Sequence, residues 1–370
     1  MKIAHVVDSM EVGGAEILVS QMCRLQREQG HEPRIYAVAS LGDLGKQMRT
    51  EGFLVQANVG EHLWGAAWNF FNIFKKDLPD VVHLHNPTPT IYAALSARVA
   101  GVPSIVSTRH SLVAPPNNRV QESKYRIAAS WCDWVVGICE ATTNNVKKIR
   151  SAPARKIVRV YNGTAPLLRV AKELSAPKSD FNLLFVGRLE PVKNHTLLLA
   201  AFREALSSMP NLRLWMVGDG SEREKLTRLT AELGISSEVT FWGQQLDVAP
   251  FFSAADVFLM SSKSEGLPIS LLQAFSLGIP AIVTDVGGMA EVVRLAHAGL
   301  AVSATDPAAM AGAILKMASN SGEREKLAIN AQHAFRSYFT LDVMVDNYMD
   351  LYRSTPRFRR LAKSKSRPPE

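Results

Sequence analysis

The chain has 370 residues, 47% of them hydrophobic, which is enough for two ordinary globular domains. No run of about 18 apolar residues occurs, so no membrane-spanning helix is expected, and the opening MKIAHVVDSMEVGG reads as a first strand because it lacks a signal-peptide cleavage site. Of the net charge of +8, +6 lies in the last 18 residues, leaving +2 for the rest; with no basic stripe interleaved with aromatics in the folded part, nucleic-acid binding is not supported.

In chain order, KIAHVVD is the first strand. GGAEILVSQMCRLQREQG follows as a helix with Ile17, Leu18, Met22 and Leu25 on one side. Gly13 and Gly14 open that helix, but G-x-G-x-x-G is absent, so a dinucleotide site is weakly supported. Trp64, Trp68 and Phe71 recur at helical spacing, with Phe70 and Phe74 flanking, and read first as a packed core face. RIYAVAS, DVVHLHN, SIVSTRH, WVVGIC and KIVRVYN are further strands, and KKIRSAPARK (147–156) reads as a solvated basic edge. The stretch 166–180 has two prolines and no clean period, so it is the linker. A second alternation follows: NLLFVGR, a helix from about 194, LRLWMVGD, a helix from about 221, EVTFWG, a short helix, VFLM and AIVTD. Two doubly wound α/β domains with a cleft between them fit this order, at 1–165 and 181–340. A C-terminal helix within 341–356 returns toward the first domain, and 357–370 is a basic tail. Cys23, Cys132 and Cys139 have no C-x-x-C spacing and read as buried thiols of a reducing compartment, with neither a zinc site nor a disulfide framework.

Residues 265–291, EGLPISLLQAFSLGIPAIVTDVGGMAE, are the most informative stretch. Glu265 precedes a short helix in which Pro268 suits the first position. Leu271, Leu272 and Phe275 give that helix an apolar face, and Gly278 with Pro280 ends it. AIVTD is a buried parallel strand, and Gly287-Gly288 allows close approach of a ligand. A helix N-terminus offers free N–H groups and partial positive charge to an anion.

This segment resembles the retaining glycosyltransferases of family 4, whose pattern is Glu, seven residues and a second Glu. The resemblance implies the GT-B fold, two Rossmann-like domains with an interdomain cleft, and donor-sugar contacts from Glu265, with Gly266, Leu267 and Pro268 lining the donor. It places Gln273 where the second Glu would hold the ribose hydroxyls. Gln accepts through one neutral oxygen where Glu accepts through two charged ones, so altered nucleotide binding is expected.

Other pieces resemble the same family. VGRLEPVKNHT matches its Arg-and-Lys motif, which implies that Arg188 and Lys193 face the donor diphosphate. Asn194 is expected to cap the following helix. By the same resemblance Gly13 and Gly14 face the phosphates and the acceptor, Gly243 lies near the nucleobase, and Asn162 belongs to the turn closing the first domain. His110 faces the donor sugar; His83 and His85 alternate on one strand, and His85 and Asn86 line the site at best or are structural. Gly218, Asp219 and Gly220 form a helix-opening turn. The aromatic set at 64–74 has a patch for a lipid-linked acceptor as its alternative reading.

The expected activity is transfer of a hexose-type sugar, with retention, from a nucleoside-diphosphate sugar to a hydroxyl acceptor, in assembly of cell-surface polysaccharide or glycolipid. No Asp-x-Asp motif is present, so no metal and no cofactor is expected; the resemblance implies a front-face displacement in preference to a covalent intermediate. The partners are the donor, a glycan, lipid-linked or small-molecule acceptor, and an anionic membrane surface reached by the basic tail of an otherwise cytoplasmic protein. Rival readings are a non-catalytic nucleotide-sugar-binding partner, favoured by Gln273, and a nucleotide-sugar epimerase of similar architecture.

Overall fold

The computed structural model describes residues 1–57, 63–112, 119–170 and 180–365. It divides into two compact units, Met1–Gly163 together with Leu341–Glu370, and Thr164–Thr340.

The first unit carries, among the described residues, strands β1 (Lys2–Val7), β2 (Glu32–Ala37), β3 (Leu54–Ala57), β4 (Val81–His85), β5 (Ser104–Arg109), β6 (Trp134–Gly137) and β7 (Ile157–Arg159). They form one parallel sheet in the order β3-β2-β1-β4-β5-β6-β7. Every residue of β4 and β5 is buried, as expected for central strands covered on both faces. The order reverses between β1 and β4, and the loops beyond the carboxyl ends of such a pair are where open α/β sheets bind ligands.

The second unit repeats the plan with β8 (Phe181–Val186), β9 (Leu212–Val217), β10 (Val239–Gly243), β11 (Val257–Met260), β12 (Ala281–Thr284) and β13 (Gly299–Val302). Its parallel order is β10-β9-β8-β11-β12-β13, with the reversal between β8 and β11. The helix Ile269–Ser276 buries Leu271, Leu272, Ala274 and Phe275 and ends before Gly278.

Several sequence expectations need correction. Pro268 is not the first helical residue; its extended backbone, ψ 135°, makes it the N-cap of that helix. Asn194 occupies the N-cap of the helix His195–Ser208 in a left-handed conformation, φ 57°, but its side chain does not cap. It donates instead to the Ala304 carbonyl at 3.1 Å. The basic tail starts as structure, because a helix runs Pro356–Lys365. Residues 366–370 lie outside the described residues, as do 171–179 of the linker. The linker's start is tied to the second unit: Leu167 N donates to Ser276 Oγ and Arg169 Nη2 to the Leu277 carbonyl.

The aromatic helix Leu63–Asp77 splits its roles. Phe70 and Phe74 are fully buried, whereas Trp68 is 63% exposed and stacks on Phe71. The side chain of Trp64 lies outside the described residues. All three cysteines are buried free thiols. The helix Leu341–Ser354 inserts Met344, Val345, Tyr348 and Tyr352 into the first unit, and Gly163 N–H points at Met344 Sδ.

Candidate active site

In the second unit, the loops leaving β8 and β11 flank the reversal of strand order. Arg188 and Lys193 come from the first loop and Glu265 from the second. Lys193 Nζ donates to Glu265 Oε2 at 2.9 Å, and the two side chains are only 12% and 19% exposed. Hydrogen bonds lock the loops together: Lys263 N donates to the Val192 carbonyl at 2.8 Å, and the Ser261 hydroxyl to the Lys193 carbonyl at 2.8 Å. Thr284 Oγ1 on β12 in turn donates to the Ser262 carbonyl. Such a frame positions the cation and the carboxylate before any ligand arrives.

Arg188 is exposed on the same loop as Lys193. Its loop packs on the turn after β9, where Leu189 N donates to the Asp219 carbonyl and Glu222 N to the Leu189 carbonyl. Ser221 Oγ donates to Glu190, which holds that carboxyl below its ordinary range. The contact is tight. A Cβ at Gly218 would lie 2.0 Å from the Gly187 carbonyl oxygen. Gly243, at the end of β10, has φ +66° and its carbonyl accepts from Gly218 N.

Three helices of this unit begin just past the carboxyl ends of β8, β11 and β12, at His195, Ile269 and Gly287. Their first N–H groups carry partial positive charge suited to an anion. Some are already spent: Gly288 N donates to the Gly266 carbonyl at 2.8 Å, Leu197 N to the Asn194 carbonyl and Leu271 N to the Pro268 carbonyl. Leu267 is buried and Pro268 half-buried at the entry to the second helix. Gln273 sits half-buried on that helix, and its backbone carbonyl accepts from Ser276 Oγ.

His195 is a residue the sequence reading passed over. It is fully buried, edge-on to Phe185 at 4.6 Å between centroids, and neither ring nitrogen has a partner among the described residues. Burial lowers its pKa to about 4, so the imidazole is neutral. The signal was present: His195, Leu198, Leu199 and Phe202 occupy one apolar helix face, and all four are buried.

In the first unit, Gly13 is the N-cap of the helix Gly14–Glu28, and a Cβ there would meet Glu16 Oε2 at 2.4 Å. Asn162 is buried, with its N–H on the Ile138 carbonyl, directly before the residue that ends this part of the unit. Asn86, at the N-cap of the helix Pro87–Val99, has φ +75°, a conformation costly outside glycine and common at ligand sites. Its side chain holds the next loop instead of capping: Asn86 Oδ1 accepts from His110 N at 3.2 Å.

His110 heads a row of imidazoles. Sheet register sets His5 opposite His83, and His85 shares the face of His83 two residues on. His85 Nδ1 lies 3.1 Å from His110 Nε2, His85 Nε2 lies 3.1 Å from His5 Nδ1, and His5 Nε2 lies 2.8 Å from Gln26 Oε1. His83 branches off, bonded to Thr108 Oγ1 and Tyr352 Oη at 2.7 Å each. Burial depresses all four pKa values, those of His5 and His110 to about 4. Among the described residues, His5, His83 and His85 are the trio whose nitrogens come within 4.8 Å of one another, and each already has protein hydrogen-bond partners.

Two parallel α/β units, each with its reversal of strand order, define the GT-B glycosyltransferase fold. The HepE structure from Anabaena in complex with UDP superimposes with a TM-score of 0.81 at 18% identity, covering 96% of this chain and 100% of that one. The sequence profile described as "Glycosyl transferases group 1" matches residues 169–334, and that of "Glycosyltransferase Family 4" matches 12–166. The chain belongs to the group 1 glycosyltransferases of family 4 type. It is 32% identical over 203 residues to the lipopolysaccharide core biosynthesis glycosyltransferase LpsE of Rhizobium meliloti, a match covering 54% of this chain and 58% of that protein. With LpsD of the same organism the match covers 62% of that relative, so the chain spans about three fifths of the length of these two. It is 26% identical to the D-inositol 3-phosphate glycosyltransferase of Acidothermus cellulolyticus, over 95% of this chain and 88% of that one.

Proposed function

We propose that the protein transfers a hexose-type sugar from a nucleoside-diphosphate sugar to a hydroxyl acceptor, with retention and without a divalent metal, in assembly of a cell-surface glycan. The observation that carries this reading is the Lys193–Glu265 pair at the switch point of the second unit, with Arg188 on the same loop as Lys193. Relatives support it: LpsE is named for lipopolysaccharide core biosynthesis, and HepE was solved with UDP and with UDP-glucose. In this reading Arg188, Lys193 and the helix N-termini neutralise the diphosphate, an effect that grows as the leaving group gains charge. Glu265 accepts hydrogen bonds from sugar hydroxyls, and Gln273 holds the ribose through one neutral carbonyl oxygen. From the first unit, the neutral His110 imidazole accepts from a sugar hydroxyl. The acceptor oxygen bonds to the anomeric carbon on the face from which the phosphate leaves, and the acceptor proton passes to the departing phosphate oxygen.

The test is a panel of nucleoside-diphosphate hexoses with hydroxyl acceptors, the product's anomeric configuration read by NMR in the presence of EDTA. Retained configuration and undiminished rate are expected. Inversion, or loss restored by magnesium or manganese, would overturn the mechanism. Donor consumption without acceptor would point to epimerisation, and donor binding without turnover to a non-catalytic partner.

A peripheral contact with anionic membrane is part of this reading. The helix Pro356–Lys365 presents exposed Arg357, Arg359 and Arg360. Trp68, Val99, Ile127 and Trp131 are exposed on or just after three helices that pack in series, Leu63–Asp77, Pro87–Val99 and Arg119–Ser130. Exposed basic side chains and exposed apolar ones each suit contact with acidic headgroups. No helix among the described residues is long and apolar enough to cross a membrane. Removing 356–370 is expected to reduce binding to phosphatidylserine vesicles, and added salt to do the same. Unchanged binding would leave the helix as a solvated terminus.

A further inference from the structure

The row of imidazoles running inward from His110 has a direction. Gln26, on the helix Gly14–Glu28, presents its Oε1 to His5 Nε2 at 2.8 Å. A carbonyl oxygen only accepts, so His5 carries its proton on Nε2 and its Nδ1 is a lone pair. His85 must then donate from Nε2 across the 3.1 Å to that lone pair, which leaves His85 Nδ1 as an acceptor. His110 therefore donates from Nε2 across its own 3.1 Å contact, and its proton cannot sit on Nδ1. Each ring keeps one N–H, and no proton is gained or lost along the row.

We infer that Gln26, His5 and His85 are positioning residues that fix His110 as its Nε2–H tautomer and so keep Nδ1 a hydrogen-bond acceptor. An isolated neutral imidazole populates both tautomers and can present either a donor or an acceptor to a sugar hydroxyl. Here the choice is made three side chains away, at a buried amide. The row is sealed from water: His5 and Gln26 are fully buried, and His85 is 2% exposed. The His83 branch, held by Thr108 and Tyr352, runs beside the row: the His83 and His85 rings are 4.0 Å apart between centroids, and Tyr352 also hydrogen-bonds the Gln26 side chain. The depressed pKa values of these histidines are consistent with a row that stays neutral.

The kinetic consequence rests on the role proposed above for His110; the tautomer itself does not. Protein labelled with 15N-histidine reports both in separate readouts. In the wild type without ligand, long-range 1H–15N spectra at neutral pH are expected to show His5, His85 and His110 all as Nε2–H. Gln26→Met, which removes the acceptor, should give His110 a mixture of tautomers and lower kcat by roughly three- to tenfold, the scale of one hydrogen bond, with little change in donor KM. Gln26→Glu, whose ionised carboxylate can only accept, should restore both the tautomer and kcat. Thr108→Val cuts the side branch at His83, away from Gln26, and should leave the His110 spectrum as it was. A wild-type His110 found as Nδ1–H, or an unaltered His110 tautomer in Gln26→Met, overturns the lock. The wild-type spectrum decides even if Gln26→Met does not fold. A shifted tautomer with unchanged kcat supports the lock and overturns the part given to His110 in the reaction.

Discussion

Lys193→Ala is expected to lower turnover by roughly 2–4 kcal/mol of barrier, the scale seen when one preorganised donor to a developing anion is lost. Two effects combine. The substitution removes the cation proposed to face the diphosphate, and it strips Glu265 of the ammonium that now sits 2.9 Å from its carboxylate. Both groups are mostly shielded from water, so neither loss is well screened. Arg188→Ala should lower turnover as well with a smaller structural disturbance, because Arg188 is exposed. Glu265→Gln keeps the shape of the site, and it should reduce kcat more than nucleotide affinity if the carboxylate serves the sugar. Steady-state kinetics on any accepted donor, with thermal melts to confirm folding, check all three. Wild-type rates in either cation variant would remove the diphosphate clamp from the mechanism.

The first unit should lose stability steeply in mild acid. His5, His83, His85 and His110 are buried there with depressed pKa values, mainly because burial disfavours the imidazolium. The unfolded chain protonates them near their ordinary pKa of about 6.5, whereas the folded unit resists to about 4 for His5 and His110, and burial holds the other two well below their ordinary value. Between those limits the unfolded state binds more protons, so stability is full above about pH 6.5 and falls as pH drops. Each proton taken up on unfolding contributes a slope of about 1.4 kcal/mol per pH unit. The second unit has one such group described, His195, and should respond less. Hydrogen exchange followed peptide by peptide from pH 7 to 5 separates the units. Equal protection of β1 and β4 across that range would contradict the account.

The parts of the fold legible in the sequence were those whose burial is written as an unbroken apolar run. VFLM is such a run, a central strand with every residue buried. LVQA and GLAV, at β3 and β13, were not anticipated: they are four-residue edge strands in which Val55 alone is buried. Helix Ser321–Ala334 also escaped, because it buries only Ala331 and Ala334 and so writes almost no period. The candidate site divided the same way. Glu265, Arg188 and Lys193 stand in short contiguous motifs. The contact between Lys193 and Glu265 joins residues 72 apart, and only the sheet order brings them together. Gln26, His5 and His85 needed the β1–β4 register and the helix after β1, which no local pattern encodes.

The packing of Gly218 on the Gly187 carbonyl limits how this protein can be re-engineered. Even a methyl group at 218 would overlap that carbonyl oxygen, and at 220 it would fall 2.6 Å from the Leu189 carbonyl oxygen. A saturation library aimed at donor preference would therefore spend its variants at 218 and 220 on chains that cannot close this loop. The neighbouring stretch beyond β10 is permissive, since Leu246 is 97% exposed and Gln245 reaches only the Trp242 carbonyl. Diversity is better placed there, with the two glycines kept as fixed points of the scaffold.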